Sequence, residues 1–240
     1  MYTTQSSNET LSAPEEPEPV KEPEPITESA PIKGTEPATQ SEPIPVRTAT
    51  PADAKYALLI AAEMKASALA RGTGIAHRSP ESIIQKMDSG HAVIAVTAKG
   101  TWAGFSYIES WQEGAFVSNS GMIVSPSFRG NGVASAIKQH IFRLSRQLYP
   151  AANIFSITTG LAIMKLNSNL GFMPVTYSEI TKDEKFWDKC RHCVNFDILQ
   201  SKQYKNCLCT AMLYQVPEDA STDKRATEAS AFPIDNPQPA

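Results

Sequence analysis

Residues 123–136 read I-V-S-P-S-F-R-G-N-G-V-A-S-A, and this run constrains the chain more than any other. The apolar β-branched pair Ile123-Val124 reads as the end of a buried strand. The turn Ser125-Pro126-Ser127-Phe128 follows, and Arg129-Gly130-Asn131-Gly132 then leads into an amphipathic helix that opens at Val133 and Ala134. A strand that feeds a glycine-bearing turn at a helix start makes an anion cradle. The first-turn N–H groups have no intrahelical partner, glycine lets a ligand approach the backbone, and the helix dipole favours negative charge. Arg129 is expected to add a cation beside it. The anion that suits such a cradle is a pyrophosphate.

Composition sets the limits of the globular part. Residues 1–46 carry nine Pro and nine Glu against two Lys, a net charge of −7, with only scattered apolar residues. Such a segment cannot bury enough surface to offset its ordering entropy and is expected to stay extended and disordered. Residues 217–240 have the same character and a net charge of −3. The folded domain is therefore expected over 47–216. The whole chain carries −3, so that domain carries +7 between acidic tails. A basic domain suits a polyanionic ligand but does not by itself separate nucleotide, cofactor and nucleic acid. The tails read as solubilising, or as a mask for the basic face. The N-terminus lacks the basic and apolar regions of a secretory signal, and no apolar run reaches the roughly 20 residues of a membrane span. The expected location is cytoplasmic.

Periodicity predicts a short strand at 45–48, then a helix over 52–69 with Tyr56, Leu59, Ile60 and Met64 on one face. A basic loop follows, and a second helix over 80–88 is capped by Ser79, with Pro80 at its first position. Three antiparallel strands are expected at 91–98, 102–111 and 115–125. The helix after the cradle carries Val133, Ile137, Ile141, Leu144 and Leu148 at helical spacing. A strand at 153–158, a helix over 162–169 stopped by Gly171, and strands at 172–177 and 208–215 complete the pattern, with an insert at about 179–207. The order predicts an α/β (α+β) domain with a mixed, mostly antiparallel twisted sheet.

That order, with its cradle, resembles the GNAT acyltransferase superfamily. Arg129, Gly132 and Ala134 meet the family's R/Q-x-x-G-x-G/A loop. The segment A-I-M-K-L-N-S-N-L-G-F, which ends at Phe172, meets its later helix with a terminal G-F pair. Residues 46–54 look like the family's first strand and turn. The resemblance covers nearly all of 46–216 except the insert. It implies that acetyl-CoA or another acyl-CoA places its pyrophosphate on the N–H groups of Arg129, Gly130, Asn131, Gly132, Val133 and Ala134. The pantetheine arm would pair with backbone at Met122, Ile123 and Val124, where two central strands splay. The implied activity is that of an N-acetyltransferase, moving an acyl group to an amine.

The chain departs from the family pattern at the proton donor. Many members carry a tyrosine four residues before the glycine of the G-F pair; here that position is Asn167, which donates a hydrogen bond but releases no proton near neutral pH. Tyr177 is a substitute candidate, with core packing as its alternative role. Glu109, at the end of the third strand, is the candidate general base, its alternative being an exposed strand-end carboxylate. Glu113 and the run Ser118-Asn119-Ser120 are weaker candidates, and His91, His140 and His192 read as surface or core residues. Arg71, His77 and Arg78 lie in the loop that commonly covers the acceptor in this family. Two arginines there suit a substrate carboxylate by bidentate pairing, or form a solvated loop. Residues 70–76 and 104–111, with the paired cysteines, look like a bacterial subgroup tied to arginine biosynthesis. That likeness implies acylation of an amino acid such as glutamate.

All four cysteines fall in one stretch, as Cys190-x-x-Cys193 and Cys207-x-Cys209. Two close pairs separated by 13 residues resemble a structural zinc site, with four buried or reactive thiols as the alternative. The expected partner is a small-molecule amine acceptor, with neither nucleic acid nor membrane, and a homodimer is compatible. Two other readings remain open at this point: a CoA-binding regulatory or sensor module, and an acetyltransferase acting on protein lysines or N-termini.

Overall fold

A computed structural model describes residues 43–72 and 78–217. The two expected tails, apart from their inner ends, and residues 73–77, His77 among them, lie outside the described residues. The described residues build one seven-stranded sheet in the order β1-β2-β3-β4-β5-β7-β6. Its strands are β1 (Val46–Thr48), β2 (Ala92–Val96), β3 (Trp102–Trp111), β4 (Phe116–Val124), β5 (Asn153–Thr158), β6 (Met173–Val175) and β7 (Thr210–Tyr214). All neighbouring pairs are antiparallel except β4 and β5, which run parallel. This is the mixed, mostly antiparallel sheet expected from the sequence.

Helices cover both faces, which explains why β2 is apolar without alternation. Ala92 and Ile94 point into a core with Ile60 and Met64 of α1 (Ala57–Arg71) and Ile83 and Met87 of α2 (Pro80–Asp88). Val93 and Ala95 point the other way, toward Val133, Ile137 and Ile141 of α3 (Val133–Leu148). The period-two geometry of a strand sends neighbours to opposite faces, and here both faces are dry. On the α3 face, α4 (Leu161–Ser168) precedes a corner where Phe172 packs with Ile154 and Met212. The insert is not a loose loop. Its helices α5 (Glu184–Asp188) and α6 (Phe196–Ser201) bury Phe186 and Leu199 against Trp111, Phe155 and Leu213, completing the second face.

Two sequence expectations change in detail. Residues 51–56 form a 3-10 turn before α1 rather than its first turns. The buried face of α1 is Ala57, Ile60, Met64 and Ser67, while Leu59, expected inside, is exposed. The cause of the tight start is Asp53. Its carboxylate accepts from the Arg47 guanidinium at 2.6 and 2.8 Å and from the Thr50 amide at 2.9 Å, which pulls the chain into a capping box.

That arrangement holds the Asp53 carboxyl down at about 2, chiefly through the hydrogen bond from Arg47. A carboxyl whose folded value is depressed stabilises the fold above its ordinary value of about 4 and loses that contribution as pH falls toward 2. Arg47 is half exposed, so solvent screens the pair. Asp53→Ala is expected to cost about 1–2 kcal/mol at neutral pH. Urea unfolding should show the gap between variant and wild type closing as the buffer approaches about pH 2.

Candidate functional site

The turn between β4 and α3 is built to present backbone. Gly130 and Gly132 take left-handed φ values of +82° and +76°, and Gly132 is the N-cap of α3 without a capping side chain. The first helical bond runs from the Ala136 amide to the Gly132 carbonyl, so the amides before Ala136 lie ahead of the intrahelical ladder. A Cβ placed on Gly130 or Gly132 would meet nothing within 4 Å, so the space over the turn is open. Below it, Gly104 of β3 lets α3 come close: a Cβ there would lie 2.6 Å from Ile137 Cδ1 and 3.0 Å from the Ile123 carbonyl oxygen.

Arg129 is fixed beside this turn, but its charge is matched. Its Nε donates to the Val124 carbonyl at 3.1 Å, and its Nη2 reaches Glu63 Oε1 and Ser67 Oγ of α1, both at 2.9 Å. The expected extra cation is thereby neutralised, and the anion affinity of the turn rests on its amides and the helix dipole.

Strands β4 and β5 pair only from Phe116↔Asn153 to Ser118↔Phe155. β4 continues to Val124, so residues 119–124, Met122, Ile123 and Val124 among them, keep β3 on one side and no strand on the other among the described residues. The result is a free run of backbone that leads from the interior of the sheet to the glycine turn. A β-bulge lies in this stretch, where the β3 register slips between Phe105 and Tyr107. Gly121 sits there at φ +63°, and a Cβ on it would lie 2.2 Å from the Tyr107 ring.

On the α1–α2 face, one carboxylate stands among cations. Glu109 is nearly buried; its Oε1 accepts from Lys189 Nζ of the insert and lies 3.5 Å from Lys86 Nζ of α2. Lys189 also lies 4.5 Å from the centre of the Trp111 ring, and burial lowers its affinity for a proton despite the Glu109 charge. Arg78 donates to the Tyr107 hydroxyl and lies over its ring. Burial pushes the Tyr107 phenol up to about 12. Arg78, Lys86, Lys189, Tyr107 and Glu109 thus form a polar cluster, whereas Arg71 sits exposed at the end of α1. Beside it runs a hydrogen-bonded chain from Trp111 Nε1 to Ser118 Oγ at 2.9 Å and on to Ser120 Oγ at 3.0 Å.

The two candidate acids are engaged elsewhere. Asn167 is fully buried, and its amide nitrogen donates to Met212 Sδ of β7 at 3.6 Å. Tyr177 is a core residue: its hydroxyl donates to the Cys209 carbonyl at 2.8 Å, and its ring lies 5.2 Å from that of Trp187. Burial raises its phenol far above the ordinary value. Each side chain is thus engaged in packing, Asn167 against β7 and Tyr177 against the insert.

The four cysteines do converge. Cys190, Cys193, Cys207 and Cys209 line one small, partly open apolar cleft with Tyr177 and Trp187. They are not drawn into a ligand set, since no group of three or more His, Cys, Asp or Glu among the described residues is placed to hold a metal ion. Burial, reinforced by the neighbouring thiols, pushes Cys190 up to about 11 and Cys209 up to about 12. As placed, the four free thiols do not form the closed four-ligand set of the expected zinc site.

No family model matches the chain, and no curated protein matches it. Solved structures do. N-acetylglutamate synthase from Neisseria gonorrhoeae, complexed with coenzyme A and N-acetyl-glutamate, superposes with a TM-score of 0.53 at 16% identity, over 74% of this chain and 36% of that one. Rv2747 from Mycobacterium tuberculosis, in complex with CoA and NLQ, gives 0.51 at 17% identity over 72% and 98%. The yncA protein from Salmonella typhimurium, with its cofactor acetyl-CoA, gives 0.50 at 14% identity over 74% and 96%. The fold is the GNAT fold. The chain spans little more than a third of the gonococcal synthase, so the likeness is to one part of that protein. No described helix is long and apolar enough to cross a membrane.

Sequence reasoning missed Lys86, Lys189 and Lys138. The first two come from helix and insert positions that read as solvated. Lys138 carried a faint signal, because it sits four residues after Ala134 and seven before Ser145, on the flank of the apolar stripe of α3.

Proposed function

We propose that the protein is an acyl-CoA-dependent N-acyltransferase whose acceptor is a small amine bearing a carboxylate, an amino acid such as glutamate. The observation that carries this reading is the open glycine turn at the start of α3, continuous with the free backbone edge of residues 119–124. The amides of residues 130–135 would hold a pyrophosphate, and the edge of β4 would pair with an amide-rich arm. Acyl-CoA supplies a thioester that an amine can attack, with CoA as the second product.

The acceptor side is the Glu109 cluster. Arg78 and Lys86 suit the carboxylate of an amino acid, and two arms of charge fix its orientation. Glu109 takes the proton of the incoming ammonium once Lys189 yields its place, and the Ser118–Ser120 chain offers a path for it. The likeness to a synthase captured with N-acetyl-glutamate supports an amino-acid acceptor.

The test is turnover. The full chain is incubated with acetyl-CoA and a panel of amino acids and simple amines, with release of free thiol followed and the acylated product identified by mass. Amino acids are expected to turn over faster than their decarboxylated amines by at least about tenfold, the loss of one ion pair. Equal rates would sink the carboxylate assignment. CoA binding without turnover of any acceptor would favour the sensor reading.

A further inference from the structure

Lys138 is the strangest residue in the domain. It lies on α3, 2% exposed, with Asn119 Oδ1 of β4 at 3.4 Å from its Nζ as its hydrogen-bond acceptor among the described residues. Its ammonium stands 5.1 Å from the centre of the Phe172 ring, at the corner after α4. The Asn119 amide is held in turn by Ser145 Oγ at 2.8 Å. An ammonium has three donors, so this one is poorly satisfied, and burying it costs several kcal/mol that a methionine would not.

Its position gives that cost a use. Asn119 is the first residue of β4 beyond the last pair with β5, so Lys138 stands at the head of the split between the two strands. From there residues 119–124 run about 17 Å to the glycine turn. A carrier whose pyrophosphate sits on that turn and whose arm lies along this edge ends its arm beside Asn119.

We propose that Lys138 is the proton donor to the CoA sulfur, supplying the acid that position 167 lacks. The proposal rests on the acyl-CoA reading above. When the amine has attacked and the carbon–sulfur bond breaks, its electron pair goes to sulfur. A proton passes from Lys138 Nζ to that sulfur, leaving CoA as a thiol and the lysine as a neutral amine, which water then reprotonates. Burial brings the lysine down to about 7, and no charged group from α3, β4, β5 or α4 contributes. Transfer to a thiolate whose conjugate acid is near 8.5 then runs downhill at neutral pH. Asn119 acts as a positioning residue that fixes the ammonium toward the split.

The experiment reads the sulfur directly and needs no acceptor. CoA is titrated into wild-type protein, Lys138→Met and Lys138→Gln, its affinity is measured by calorimetry, and ionisation of the bound thiol is followed by thiolate absorbance against pH. All three proteins are expected to bind CoA within about threefold of one another. At about pH 6.5, where Lys138 still carries its proton, wild type should show several-fold more thiolate than either neutral variant, since a nearby ammonium favours the thiolate, and the difference should vanish above about pH 8 as the lysine becomes neutral. Equal thiol titrations in all three, with CoA bound, would overturn the role of Lys138 alone. Failure of wild-type protein to bind CoA would overturn the acyl-CoA reading and this proposal with it.

Discussion

Gly132→Glu is expected to abolish CoA binding, by at least about a hundredfold, while the domain stays folded. The two halves of this result have separate causes. A Cβ at residue 132 meets no protein atom within 4 Å, so the side chain enters open space and disturbs no packing. The backbone there sits at φ +76°, which costs a non-glycine residue about 1 kcal/mol. Against the ligand the same side chain places a carboxylate where the amides of α3 would meet a pyrophosphate, so like charges oppose each other at close range. Gly132→Ala isolates the backbone cost, since it carries the strain without the charge. Calorimetric titration with CoA, beside thermal unfolding of each variant, separates binding from folding. Wild-type affinity in Gly132→Glu would remove the glycine turn as the donor site.

The glycine turn was legible in the sequence because everything that makes it is local: strand, turn, glycines and helix start lie within fourteen residues. The strands were legible for the same reason, with β3 and β5 bounded as their apolar patterns implied. The insert was not, because Phe186 and Leu199 acquire meaning only from contacts with Trp111, Phe155 and Leu213 far away in the chain. The surroundings of Glu109 were hidden likewise, since Lys189 lies 80 residues on and reads as a surface lysine. Asn167 is placed by analogy with a motif, and Tyr177 stands as a nearby substitute. A place along the chain does not set the direction of either side chain, which depends on Met212 for Asn167 and on Cys209 for Tyr177, and no local pattern announces those contacts. Spacing also brought the four cysteines to one cleft without fixing the distances a metal demands.

Lys138→Met should make the protein more stable, which is the opposite of what loss of a hydrogen-bonded side chain usually does. Lysine in the unfolded chain holds its proton up to about 10.4, whereas in the folded domain burial lowers that value to about 7. Between these limits the unfolded chain binds the extra proton, so wild-type stability rises as pH rises from about 7 to about 10. Below about 7 both states are protonated and the burial cost is carried in full. Methionine of similar length fills the site with no charge, so its gain is largest in acid, on the order of 3–5 kcal/mol, and fades toward about pH 10. Urea unfolding of both proteins at about pH 6, 8 and 10 reads this directly. A pH-independent difference would show that Lys138 keeps an ordinary proton affinity, and a variant less stable than wild type near pH 6 would show that the ammonium stabilises the fold. A gain that shrinks with rising pH would mark a lysine held against the stability of the fold, as expected of a group kept where β4 and β5 part in order to move a proton.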